Sequence, residues 1–213
     1  MWVGTRIGPE WQDSENDEDL RFLKQIGVEY LSVPLHVLNG YAETGCFRRD
    51  DLWRLVDRFD AMGLKIGRAS TFGPAVDDIH LGRPNAQSRI ESLCQIVEML
   101  GEVGVPVFSI RCLWAESLVK QHKPGWSYRQ GRGAYEYPAF NLDVLQGFTD
   151  EPGVHTTADQ LWENLINMHR QVVPVAERAG VKLAMHGNDP PLYWACGNPQ
   201  ILCRYADFAR LFA

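Results

Sequence analysis

One short stretch of the chain, Leu183 to Leu192 ("LAMHGNDPPL"), carries residue types that could do chemistry. An apolar run ends there in His186 and is followed by Asp189 and two prolines. Alternation along the run predicts that His186 is the last residue of a β-strand. A neutral imidazole at such a place can bind a metal ion, and Asp189 could orient it or a bound water. The alternative is a core histidine that hydrogen-bonds to a backbone carbonyl.

A second chemical signal is a basic segment from Leu118 to Tyr135, which contains lysines, arginines and a histidine and no acidic residue. The segment lies in a long loop after a predicted strand, at the end of the sheet where α/β enzymes bind ligands. It therefore predicts an anionic ligand, with Arg132 as the expected bidentate partner of a carboxylate. A solvated flap or a subunit contact is the alternative.

Other candidates follow predicted strands. Arg6 and Arg111 lie near strand ends and could face a substrate, or could form ordinary salt bridges. His36 follows the second strand and is expected in an exposed loop, with an orientation toward the pocket as the alternative.

Composition narrows the class of protein. The chain has 213 residues with a net charge of -6, which disfavours binding to nucleic acid because phosphate neutralisation needs a basic face. Five scattered cysteines without a CxxC pair predict reduced thiols. No apolar run approaches the roughly 20 residues that cross a bilayer, and a signal peptide is not indicated. We expect a cytoplasmic protein with no membrane contact.

The elements that must position these residues repeat along the chain. Four amphipathic helices are each followed by a glycine, at 27, 63, 104 and 180, and then by a β-rich run. Such a repeat requires parallel strands joined by crossover helices. With the opening run "WVGTRI" it predicts five strands. Thr157 with Gln160 is expected to cap the fourth helix, and Asp50 the second.

Two architectures fit five such units. Eight units of this length would need about 300 residues, so the chain would hold an incomplete (β/α) barrel of TIM type. An open, doubly wound sheet is the rival. The chain ends within a fifth amphipathic helix, which favours a fragment. We predict a single partial barrel domain over residues 1–213, with a long insertion at about 112–156.

Three segments carry a resemblance to a known family. "VVPVAERAGVKLAMHGNDPP" (Val172 to Pro191) resembles the mannonate dehydratase family, whose members carry V-P-x-A-E on a helix, a short strand, and H-P-D-D-P. The stretch from Ile79 to Arg111, which begins "IHLGRP", looks like that family's L-G segment with its following helix and strand. "RQGRGAYEYPAFN" (Arg129 to Asn141) is similar to an R-G-G-rich loop in one branch of it.

The resemblance implies a xylose-isomerase-like TIM barrel that dehydrates D-mannonate to 2-keto-3-deoxygluconate with the help of Mn²⁺ or Fe²⁺. His186 falls on a metal-ligand position and Asp189 on the motif's second aspartate. Gly187 and Asn188 depart from the motif, replacing its proline and first aspartate. The family's remaining ligands, a Cys, a second His and an Asp, are expected beyond residue 213.

The candidate substrate-binding residues are thus Arg132, Arg111, Asp189 and Asn188, and the expected partner is an anionic sugar acid. A homo-oligomer is left open. Two other functions remain alternatives: a sugar isomerase or epimerase on the same barrel, because a fold does not determine a reaction, and a non-catalytic barrel fragment.

Overall fold

A computed structural model describes residues 3–7, 17–36, 38–71, 73–112, 125–146 and 156–213. In chain order its elements are β1 (Gly4–Arg6), α1 (Asp17–Gln25), β2 (Tyr30–Pro34), α2 (Tyr41–Thr44), α3 (Arg49–Ala61), β3 (Lys65–Thr71), α4 (Pro74–His80), α5 (Ala86–Glu102), β4 (Val107–Arg111), β5 (Trp126–Gln130), a 3-10 turn (Arg132–Ala134), β6 (Glu136–Phe140), α6 (Leu142–Gln146), α7 (Ala158–Ala179), β7 (Lys182–His186), β8 (Trp194–Ala195), β9 (Asn198–Pro199) and α8 (Tyr205–Phe212).

Five parallel strands form the main sheet, in the order β1-β2-β3-β4-β7. Consecutive strands of the repeat are therefore neighbours, and the order never reverses. A doubly wound sheet reverses its strand order at a switch point, so that rival architecture is excluded. The predicted α/β fold, an incomplete parallel (β/α) barrel, is confirmed.

The local signals that end and start the helices act largely as predicted. The glycines at 27, 63, 104 and 180 all have positive φ, between 70° and 91°. Gln160 N–H donates to Thr157 Oγ1 at 3.2 Å and Thr157 N–H donates to Gln160 Oε1 at 2.9 Å, which completes the capping box of α7. The prediction for Asp50 is wrong: α3 begins at Arg49, so Asp50 lies inside its first turn.

The main sheet has one apolar and one polar face. Leu31, Val33, Phe108 and Ile110 are almost fully buried. Residues paired in register on parallel strands share a face, and each residue's chain neighbour lies on the other. The opposite face consequently carries the polar side chains, including Ser109, which pairs with Ala184 on β7. This polar face is the one that ends in His186.

The chain divides into two compact units, residues 1–111 with 164–186 and residues 112–163 with 187–213. The first unit contains the main sheet. In the second, β5 and β6 pair as an antiparallel hairpin, and β8 pairs with β9. The single domain predicted for residues 1–213 stays a prediction. Within the described residues, no helix combines the length and apolar character needed to cross a bilayer.

Candidate active site at the carboxyl ends of the strands

His186 is the last residue of β7, as the alternation predicts. It pairs in register with Arg111, the last residue of β4, so both side chains lie on the polar face at the carboxyl end of the sheet. His186 is exposed, which separates it from a histidine sealed in the core. The imidazole thus occupies the rim where parallel α/β sheets bind ligands.

Arg111 is held in place by a carboxylate from the preceding repeat. Its Nη2 donates to Asp77 Oδ1 at 3.1 Å and to Oδ2 at 3.3 Å. Both side chains are largely buried, with 9% and 14% of their surface exposed. A buried ion pair keeps its geometry because separating its charges is costly. The pair matches the salt-bridge alternative for Arg111, whose contact with substrate stays a prediction.

A buried histidine, His80, forms a hydrogen bond with the backbone at the same strand end. His80, in α4, is 1% exposed, and its Nε2 lies 3.1 Å from the carbonyl oxygen of Arg111. A carbonyl can only accept, so Nε2 carries the proton. Burial lowers the pKa of His80 to about 4, so the ring is neutral at pH 7. Its own carbonyl accepts from Asn164 Nδ2 at 2.9 Å, which ties α4 to α7.

A third histidine, His36, follows β2 and is half-buried, so the expectation of an exposed loop residue is wrong. Its ring packs edge-on against Tyr41, with ring centroids 6.5 Å apart. Burial, followed by the charges of Arg6 and Arg111, lowers the pKa of His36 to about 4. A neutral imidazole therefore lies near the cations Arg6 and Arg111.

Tyr41 anchors this part of the rim from inside the protein. The ring is 2% exposed, and its hydroxyl accepts a hydrogen bond from the Thr71 hydroxyl at the end of β3. Burial raises the pKa of Tyr41 to about 12, so the phenol stays protonated. The hydroxyl pair connects the segment after β2 to the end of β3.

The rim therefore offers an exposed imidazole beside a strand end that is held by a buried ion pair and a neutral histidine. A divalent ion could take His186 as one ligand, because a neutral ring nitrogen suits Mn²⁺, Fe²⁺ or Zn²⁺. Across the parts of the chain that the structure describes, no group of three or more His, Cys, Asp or Glu side chains could hold a metal ion. The described residues thus fit one member of a metal shell and do not complete it.

Residues just after His186 belong to the second unit, where Asn188 is used structurally. Its side-chain oxygen accepts from the backbone N–H groups of Ile201 at 3.2 Å and Leu202 at 2.9 Å. Its Nδ2 donates to Gln200 at 3.2 Å, and the residue is 6% exposed. An asparagine supplies a donor and an acceptor here, which an aspartate could not. Substrate contact by Asn188 stays a prediction, and these bonds compete with it.

Steric crowding explains why position 187 is a glycine. A Cβ built on Gly187 would lie 2.8 Å from the Leu202 carbonyl oxygen and 3.0 Å from the ring of Phe208. Both distances are below normal van der Waals contact, so a residue with a side chain would force the backbone apart. Gly187, which replaces the family's proline, thus allows the Leu202 backbone to approach closely.

The other two candidates are exposed. Asp189 precedes Pro190 and is open to solvent. Arg132 lies in the 3-10 turn between β5 and β6 and is also exposed. Their roles toward a metal and a substrate carboxylate stay predictions. Three further cations of the basic segment, Lys120, His122 and Lys123, lie outside the described residues.

Sequence reasoning missed Asp77, Tyr41 and His80. His80 stands in the stretch "IHLGRP", whose neighbours Ile79 and Leu81 favour an ordinary apolar helix. Asp77 stands three residues earlier. Its partner Arg111 comes only after α5, so no pattern in the local sequence predicts that the two residues meet. A buried histidine within an apolar helix was the one available signal.

The last part of the chain, residues 137–213, matches the family model of D-mannonate dehydratase (UxuA). The mannonate dehydratase of Streptococcus agalactiae is 26% identical over 183 residues, covering 72% of this chain and 49% of the relative. That of Shouchella clausii is 26% identical over 234 residues, covering 96% of this chain and 64% of the relative. The chain thus spans between half and two thirds of the length of these relatives.

Solved structures share the fold. The mannonate dehydratase of Streptococcus suis superposes with a TM-score of 0.75 at 21% identity, covering 99% of this chain and 58% of that one. The 3-keto-D-glucoside 4-epimerase of E. coli gives 0.59 at 17% identity, covering 100% and 63%. Together with the family model and the relatives, these matches confirm that the chain resembles the mannonate dehydratase family.

Proposed function

We propose that this chain carries part of the active site of a metal-assisted sugar-acid dehydratase that converts D-mannonate to 2-keto-3-deoxygluconate and water. The observation that carries the proposal is the exposed imidazole of His186 at the carboxyl end of β7, in register with Arg111. The similarity to proteins named mannonate dehydratase supports a hydro-lyase over other classes. The chain spans about half to two thirds of the length of those relatives, so the activity of the whole protein is part of this proposal.

The chemistry assigns roles to the candidates. A general base takes the proton at C2, which places negative charge on the adjacent carboxylate. A general acid protonates the C3 hydroxyl, which leaves as water, and the resulting enol tautomerises to the 2-keto product. A bound divalent ion would act as a Lewis acid toward that carboxylate. His186 would hold the ion, and Asp189 would orient the imidazole or a bound water. Arg132 would bind the carboxylate through two N–H groups.

Arg111 and His80 have a supporting role in this proposal. The Asp77 carboxylate fixes the Arg111 guanidinium, and His80 fixes the backbone carbonyl of the same residue. A strand end tied at its side chain and its carbonyl keeps the neighbouring His186 in a constant position. Preorganised polar groups of this kind lower the cost of reorganisation in the transition state.

The test compares His186→Ala with a matched control, Lys182→Gln. Lys182 is exposed on the same face of β7, at its other end. Mn²⁺ binding to the full chain is measured by calorimetry, and product formation by the appearance of 2-keto-3-deoxygluconate from D-mannonate. We expect His186→Ala to weaken Mn²⁺ binding by at least tenfold, in the range of about 10–100-fold seen for disturbed metal shells. The control should bind Mn²⁺ normally.

Three results would overturn the proposal. Equal Mn²⁺ affinity in His186→Ala and Lys182→Gln would remove the metal role of His186. Formation of a ketose from a neutral sugar, with no 2-keto-3-deoxygluconate from D-mannonate, would replace the dehydratase by the isomerase alternative. Absence of both products would favour the non-catalytic alternative.

A further inference from the structure

A second polar group of residues lies on the same face of the sheet, away from His186. Arg6 on β1 pairs in register with Ser32 on β2, which pairs with Arg68 on β3. The three side chains therefore lie in a row across three strands. Arg68 Nε donates to Ser32 Oγ at 3.0 Å, which orients the guanidinium along the row.

This row is distinct from the His186 rim. Arg68 lies two residues before Ser70, which pairs with Ser109, and Ser109 lies two residues before Arg111. Four residues of extended strand correspond to about 13 Å. A ligand bound beside Arg68 would thus leave His186 free.

In the part of the chain that the structure describes, no carboxylate pairs with the charges of the row. Within the described residues, neither Arg6 nor Arg68 has a carboxylate within the 4.0 Å of a salt bridge. Arg58 and Arg111, by contrast, each contact an aspartate. Arg68 is half-buried, so its charge is less screened by water than that of a surface arginine. Two cations without a carboxylate, in a chain of net charge -6, favour an anionic ligand.

Space for a ligand is provided by two glycines. A Cβ on Gly4 would lie 3.1 Å from the Tyr30 carbonyl oxygen, and one on Gly67 would lie 3.1 Å from the Tyr30 side chain. A side chain at position 4 or 67 would therefore crowd Tyr30. The result is an open pocket of about 360 Å³ lined by these three residues and the row, with Thr5 and Leu31. None of the lining residues is acidic, and the volume is in the usual range for small-molecule sites.

We propose that Arg6, Ser32 and Arg68 bind the oxyanion of a small hydroxylated ligand, a carboxylate or a phosphate. The guanidinium groups would donate to the oxyanion, as charge-assisted hydrogen bonds favour. The hydroxyls of Ser32 and Tyr30 would contact the hydroxyl groups of the ligand. The site requires neither a metal ion nor His186, so it stands independently of the proposed dehydration.

Calorimetry on the full chain tests the site at low ionic strength with EDTA present. The probes are D-gluconate, D-glucose 6-phosphate and neutral D-glucose. We expect at least one anion to bind and D-glucose not to bind, and the stronger anion distinguishes carboxylate from phosphate. High salt should weaken the binding because a surface-accessible charge is screened.

Variants separate this site from general electrostatics. Arg68→Gln and Arg6→Gln should each weaken anion binding by about tenfold, the value of one charged hydrogen bond. Arg129→Gln makes the same change in net charge at an exposed position on β5 and should bind as the wild type does. Ser32→Ala keeps the charge and should weaken binding severalfold.

Three outcomes would overturn this inference: no anion binds, D-glucose binds as tightly as the anions, or Arg68→Gln and Arg129→Gln bind alike. Circular dichroism confirms that each variant is folded. His186→Ala should leave anion binding unchanged, so failure of the metal proposal and failure of this site give different results.

Discussion

Replacement of His80 by glutamine tests how strongly the rim depends on a neutral, buried imidazole. The pKa of His80 is about 4 in the folded protein, against 6.5 for a free histidine. The unfolded chain therefore takes up a proton first as the pH falls below 6.5. Stability from this residue is fully present above that pH, decreases as the pH falls, and is lost below the folded pKa of about 4.

The size of the effect follows from the difference between the two pKa values. At 1.36 kcal/mol for each pKa unit, the total is about 3 kcal/mol, of which about 2 kcal/mol is lost between pH 7 and pH 4.5. Glutamine can donate to the Arg111 carbonyl in place of Nε2 and does not titrate. We therefore expect His80→Gln to lose about 2 kcal/mol less stability than the wild type over this interval.

Urea unfolding followed by circular dichroism at several pH values gives the free energy of unfolding of both proteins. His186→Gln is the matched control, because it makes the same substitution at an exposed position. The reasoning is refuted if wild type and His80→Gln lose the same free energy between pH 7 and pH 4.5. Carboxylates affect both proteins equally and cancel in the comparison.

Three further substitutions test close contacts of the fold by urea unfolding. Asp77→Ala leaves the buried Arg111 guanidinium without its carboxylate and should cost about 3–5 kcal/mol; a cost below 1 kcal/mol would contradict a buried pair. Gly101→Ala places a Cβ 2.6 Å from the Ala179 carbonyl oxygen. It should destabilise the protein by about 1–3 kcal/mol, although alanine has the better helix propensity. A gain in stability would contradict this expectation. Gly187→Ala should destabilise by a similar amount, and an unchanged midpoint would show that the Leu202 backbone moves freely.

Much of the main sheet was predictable because its signals are local. Apolar residues spaced three and four apart predict one apolar face of a helix. The glycine that ends α5 or α7 follows within one turn of that pattern. A helix that follows each strand permits only a parallel neighbour. The end of β7 at His186 follows from alternation over five residues.

The insertion was less predictable. The segment around Arg132 has no sustained apolar period, yet residues 126–130 and 136–140 pair as a hairpin with most of both strands exposed. A strand that buries neither face carries no alternation of apolar and polar residues. Its pairing depends on cross-strand hydrogen bonds, which composition does not record.

The sequence by itself determined the repeat, its parallel strands and the strand end that bears His186, because each depends on residues a few positions apart. Only the tertiary structure decided which distant side chains meet. Asp77 contacts Arg111 although the whole of α5 separates them in the sequence. A register shift between Leu31 and Ser32 places Arg68 in the same row as Arg6. Such contacts are selected by helix packing and strand register, which involve the whole sheet and leave no pattern in any one segment.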